Sequence, residues 1–135
     1  MTEYVAQQMP IVEATLAVME DGAPPHVDIV HRVRLPSSSS PWLQPIYDEG
    51  EFIIRNIIRF FGGWYSGRPS ELKPASRSEL AREVTALAGG PHALVARARA
   101  LVEQDQMRLA CHLIDYALEA ACEDGEIAEK VAEIY

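Results

Sequence analysis

The side chains best suited to chemistry are four histidines, two cysteines and a group of arginines set beside aromatic residues. The histidines are His26, His31, His92 and His112. A zinc site on a helix places histidines at i and i+4 so that both rings share one face, with a glutamate between them. His26 and His31 are five residues apart, which turns the two rings apart by ~140° on a helix. Asp28 does not repair that spacing, and His112 falls among polar neighbours, so these histidines read as surface residues. No Gly-x-Ser-x-Gly elbow, phosphate-binding loop or dinucleotide fingerprint occurs. Asp48, Glu49 and Glu51 stand where a helix begins and read as capping groups rather than an acid–base pair. No catalytic residue, metal ligand or cofactor is therefore assigned, and the chain alone reads as non-catalytic.

One cluster invites a functional reading. Arg55, Asn56 and Arg59 form a narrow polar ridge on an otherwise apolar segment, close to Trp64, Tyr65 and Arg68. Guanidinium groups, an amide and a phenol can together hold a tetrahedral anion such as sulfate through charge-assisted hydrogen bonds. The plainer alternative is that the arginines pair with Glu51 and other carboxylates at the surface, where such pairs contribute little.

The elements that must position these groups read as helical almost throughout, with no period-two run long enough for a strand. Val5, Met9, Val12, Leu16 and Met19 make a one-face stripe, interrupted by Pro10 and stopped at Asp21-Gly22. Pro24-Pro25 opens a short second helix with Val27, Val30 and Val33. Four serines and three prolines between residues 36 and 45 mark a linker, and Trp42, Leu43 and Ile46 read as a strap on apolar surface. The third helix starts near Asp48 and ends at Gly62-Gly63. With Phe52 at 0°, the residues Phe60, Ile53, Ile57, Phe61, Ile54 and Ile58 fill about 80° to 240°. That apolar sector is too wide for one neighbour, which implies two neighbours or one neighbour and a partner chain.

Four more helices follow. A capping box, Ser76 with Glu79, opens the fourth, which ends at Gly89-Gly90. The fifth covers about 91–103, the sixth about 106–122, and the seventh runs from Gly125 to Tyr135. The sixth has a polar strip of Arg108, His112, Asp115 and Glu119 and is apolar elsewhere, so it belongs at the centre of its layer. Ala110 and Ala117 read as close-contact positions. Cys111 and Cys122 fall in this one helix, ~16 Å apart along its axis, too far for a disulfide, and read as buried reduced thiols. The expected fold is all-α, with about seven helices in antiparallel hairpins of tetratricopeptide-like packing and no sheet. The expected divisions are a helical lead-in at 1–36, the linker strap at 37–47 and a helical domain at 48–135.

Composition supports an ordinary folded domain and excludes several classes. The 135 residues are 48% hydrophobic, enough for a core. A net charge of −8 argues against a nucleic-acid surface, which needs clustered Lys and Arg. No apolar run reaches the ~18–20 residues of a membrane span, and residues 1–20 lack a signal-peptide pattern. The expected location is the cytoplasm.

The run from Leu43 to Pro74, with Gly-Gly-Trp-Tyr-Ser-Gly-Arg-Pro at 62–69, resembles the dimerisation domain of the metallo-β-lactamase-fold alkyl sulfatases and related hydrolases. Glu79-Leu-Ala-Arg-Glu83, Leu87-Ala-Gly-Gly90 and Arg108-Leu-Ala-Cys-His-Leu113 are similar to the same family. So is the lead-in from Met19 to Pro36, which in the family links the catalytic domain to this one. The resemblance implies a helical module that pairs two subunits, following a zinc-dependent domain that cleaves alkyl sulfate esters. Zinc belongs to that separate domain, and none of its ligands carries over to this chain. The aromatic turn carries over as Trp64, Tyr65, Gly67 and Pro69, facing the catalytic domain in full-length relatives. The family commonly has Asp where Ser66 stands and Asn where Arg68 stands, which puts a contribution to an active site in doubt.

Two readings of different class follow. One is a dimerisation module without catalysis, a homodimer whose interface draws on Phe52, Ile53, Ile57, Phe60 and Trp64. The alternative is part of an alkyl sulfatase whose hydrolase domain lies on another chain or upstream. Neither involves a nucleic acid or a membrane.

Overall fold

The computed structural model describes residues 2–22, 28–35 and 49–135, with side chains in the first helix from Met9 onward. Among the described residues there are six α-helices and no strand, so the chain is all-α. They are α1 (Thr2–Glu20), α2 (Gly50–Gly62), α3 (Arg77–Leu87), α4 (Pro91–Val102), α5 (Met107–Ala120) and α6 (Gly125–Ala132). Single 3-10 turns occur at Asp28–His31 and Pro69–Glu71. The helix expected after Pro24-Pro25 is only the first of these turns where it is described. The serine-rich strap and Asp48 lie outside the described residues, as does the boundary expected at 47/48. The chain divides into two compact units, residues 1–73 and 74–135.

In the first unit, α1 continues through Pro10, which lacks the N–H its position would otherwise donate. Five residues on, the buried Thr15 hydroxyl donates to the carbonyl of Ile11 at 2.6 Å, so its polar group is satisfied within the helix. The core joins Ile11, Ile29, Val30 and Val33 to Ile54, Ile57 and Ile58 of α2. Leu35 lies against the start of α2: a Cβ on Gly50 would stand 2.3 Å from Leu35 Cδ2, so only glycine fits without displacing that side chain. Glu49 occupies the N-cap of α2 with no side-chain bond to the backbone, and Gly63 ends the helix at φ 80°.

In the second unit, the expected capping box is present. Ser76 Oγ accepts from the Glu79 N–H at 3.3 Å, and the Glu79 carboxylate accepts from the Ser76 N–H at 3.1 Å. The Ser76 hydroxyl also donates to that carboxylate at 2.6 Å. The hydroxyl and then the backbone bond hold the Glu79 carboxyl below its ordinary pKa. The exits of α3 and α4 are Schellman motifs. Gly90 N–H donates to Thr85 O and Gly89 N–H to Ala86 O after α3, with Gly89 at φ 91°. Gln106 N–H donates to Leu101 O and Asp105 N–H to Val102 O after α4. Here Asp105 takes the left-handed position, at φ 58°, which short polar residues tolerate better than most.

Helix α5 packs against α3, α4 and α6, the central position its apolar breadth requires. Ala110 and Ala117 are wholly buried, as is Ala98 on α4, so backbones approach closely where these methyl groups meet the core. The larger core members are Leu94, Val95, Leu101, Ile114, Ile127 and Val131. Thr85 Oγ1 donates to Tyr116 O at 3.4 Å, tying α3 to α5. The thiols differ from expectation. The helix ends at Ala120, so Cys122 is exposed in the turn before α6, while Cys111 is half-buried, and both are free. The Asp124 carboxylate caps α6 by accepting from the N–H groups of Glu126 and Ile127.

Candidate functional site: the aromatic face of α2

Helix α2 turns its isoleucines into the first unit's core and its aromatic rings outward. Ile54, Ile57 and Ile58 are buried, and Ile53 is half-buried. Phe52, Phe60, Phe61 and Trp64 are 53%, 82%, 59% and 72% exposed. Phe60 and Phe61 meet edge to face with ring centroids 4.9 Å apart, and Trp64 meets Tyr65 in the same manner at 5.9 Å. Single exposed apolar residues are normal; here four large rings are exposed within thirteen residues of sequence, and two of them, Phe60 and Phe61, touch each other. Among the interface candidates, Ile57 is thus a core residue and Ile53 a boundary residue, while Phe52, Phe60 and Trp64 face outward. Phe61 joins them. Its wheel position lies within the apolar sector, on the side of the buried isoleucines, but it stands in the last turn of the helix and is exposed.

The turn after α2 is shaped by two glycines. Gly63 and Gly67 have φ of 80° and 86°, conformations that disfavour residues with a Cβ. Between them the Ser66 hydroxyl accepts from the Arg68 N–H at 3.3 Å, a local closure of the turn. Arg55, Asn56 and Arg59 are exposed on α2, and Arg68 is exposed beyond the turn. Trp64 and Tyr65 lie between these two groups in the chain, and the edge contact of their rings joins them to each other.

The remaining candidate chemistry is dispersed. His31, His92 and His112 are exposed, and His26 lies outside the described residues. Among the described residues, no group of three or more His, Cys, Asp or Glu is placed to hold a metal ion. No helix among the described residues is long and apolar enough to cross a membrane.

Residues 26–135 match the family model described as alkyl sulfatase dimerisation. A linear primary-alkylsulfatase from Pseudomonas sp. is 28% identical over 117 residues, covering 84% of this chain and 22% of the relative. A solved structure of a double mutant of the sec-alkyl sulfatase PisA1 matches with a TM-score of 0.80. That likeness, at 21% identity over 92% of this chain, is one of fold, and it takes in 20% of the sulfatase chain. The chain thus spans about a fifth of the length of either relative. With a model match over most of its length and an all-α fold shared with a module of a sulfatase, the chain belongs to the alkyl sulfatase dimerisation family.

Proposed function

We propose that this chain is a homodimerisation module, closed by a second copy over the aromatic face of α2. The carrying observation is the exposure of Phe52, Phe60, Phe61 and Trp64 on and just after one helix. Each such ring buries ~150–250 Å² when fully covered. Given their exposure, Phe52, Phe60 and Trp64 can bury roughly 400 Å² per copy, or about 800 Å² over a pair, to which the polar residues between them add. A two-fold axis is the simplest closure, because one self-complementary patch then suffices. Family membership supports the same assembly. Light scattering at micromolar concentration tests it. A particle of twice the 15.0 kDa chain mass is expected, and a well-folded particle of the single chain mass sinks the reading.

The relatives favour a further role alongside pairing, since both are named alkyl sulfatases and both are far longer than this chain. In that reading the module works beside a zinc-dependent, metallo-β-lactamase-fold hydrolase domain, on another chain or upstream, that cleaves alkyl sulfate esters. Of the polar residues on and after α2, Arg55, Arg59, Tyr65 and Arg68 are the side chains it offers toward an anionic ester, while Asn56 and Trp64 are taken up in pairing. The check is turnover of dodecyl sulfate by such a hydrolase domain with and without this chain. Equal rates and no complex in solution count against it.

A further inference from the structure

We propose that the two copies meet through antiparallel α2 helices, with the two-fold axis passing beside Asn56. This rests on the self-association reading and names the contact that makes it. Phe52, Asn56 and Phe60 succeed one another at i, i+4 and i+8, so they form a single slanted row on the helix surface. All three are exposed, whereas Ile54, Ile57 and Ile58 on the far side are buried. The row reads the same in both directions: a phenyl ring, an amide, a phenyl ring. An isologous contact requires that property, since each residue of the patch must fit the same patch rotated by half a turn. In the antiparallel pair Phe52 lies against Phe60 of the partner subunit, Phe60 against the partner's Phe52, and Asn56 against the partner's Asn56. A carboxamide carries both donor and acceptor, so two facing amides satisfy each other across the axis. Its smaller size also lets the helices approach most closely at the middle of the row.

Charge fixes the direction. Glu49 stands at the start of α2 on the side of this row, and Arg59 stands further along it. A parallel pair would set each arginine beside its own copy. The antiparallel pair brings Arg59 toward the acidic start of the partner helix, which is complementary, and opposes the two helix dipoles favourably. The same arrangement withdraws Asn56 from any group of side chains facing an anion.

Packed helix axes lie ~8–10 Å apart and Cα atoms sit ~2.3 Å from each axis, so facing Cα atoms at position 56 come within roughly 4–5 Å. That is inside the ~7 Å reach of a disulfide. Two copies of position 52, by contrast, lie ~12 Å apart along the axis. The test starts from a Cys111→Ser, Cys122→Ser chain. Asn56→Cys in that background should oxidise to a disulfide-linked dimer almost completely. Phe52→Cys mixed with Phe60→Cys should give the mixed dimer in preference to either self-linked one. Asn56→Asp should keep its helical circular dichroism while weakening association at least tenfold at pH 7, with recovery as the facing carboxylates protonate. If the unsubstituted chain is a dimer but Asn56→Cys does not link and Asn56→Asp associates normally, this contact is wrong and self-association stands. If the unsubstituted chain is a monomer, the self-association reading itself fails, and this contact with it.

Discussion

Ile57 and Phe60 stand three residues apart on α2, yet Ile57 is 9% exposed within the first unit's core and Phe60 is 82% exposed. The same charge placed at each should therefore have different consequences. Ile57→Asp puts an unpaired carboxylate among Ile11, Ile29 and Ile54 and should unfold the first unit, because burying an isolated charge costs several kcal/mol. Phe60→Asp should leave the helical circular dichroism unchanged and produce monomers in light scattering. If both variants stay dimeric and folded, α2 is neither core nor interface.

The capping box at Ser76 gives a prediction on stability and on pH. Ser76→Ala removes the hydroxyl that accepts from Glu79 N–H and should cost about 1 kcal/mol. The Glu79 carboxyl is held below its ordinary pKa, chiefly by the Ser76 hydroxyl. Its contribution is thus present above the ordinary glutamate range and is lost as pH falls through the lowered value. Urea unfolding should show a smaller loss of stability on acidification for Ser76→Ala than for the unsubstituted chain.

Ala110 is wholly buried where α5 meets its neighbours. Ala110→Leu adds three carbons to a site with no room and should cost about 2 kcal/mol, as overpacking does. Ala93→Leu, on an exposed position of α4, serves as the comparison and should change stability by less than about 0.5 kcal/mol. Thermal unfolding followed by circular dichroism reads both.

Tyr135 donates its phenolic hydrogen to the Asp115 carboxylate, and this bond, followed by desolvation, raises its pKa to about 12 from the ordinary 10.0. The folded-state value is the higher one, so the contribution is complete below pH 10 and is lost as pH rises through 12. Tyr135→Phe should be less stable than the unsubstituted chain at neutral pH. The difference between the two should shrink across that alkaline window. A constant difference from pH 8 to 12 would show that the hydrogen bond does not govern it.

The isolated chain is expected to carry no stoichiometric zinc and to leave dodecyl sulfate intact, because the described residues supply no ligand set of workable spacing. Elemental analysis together with release of inorganic sulfate decides this. One bound zinc per chain with turnover would overturn it.

Local chemistry was legible in the sequence where near neighbours determine it. The Ser76–Glu79 box, the glycine exits after α2 and α3 and the stacking of α5 among three helices follow from capping geometry and from the 3.6-residue period. The Trp64–Pro69 segment carried the family. Periodicity also showed that α2 has more apolar surface than one neighbour can cover. Which residues form that excess was decided by tertiary packing. The turn Asp28–His31 and α1 cover the Ile54, Ile57 and Ile58 side, leaving Phe60 and Phe61 exposed in the last turn although their wheel angles fall in the apolar sector. A helical wheel records direction around an axis but not how far along it a neighbour reaches. For the same reason Cys122 could not be placed from sequence: α5 stops two residues before it, where the chain turns into α6. The expected oxyanion hollow depends on where Arg55 and Arg68 point relative to each other. Twelve residues, two left-handed glycines among them, separate the two, and local rules do not fix an orientation across that distance.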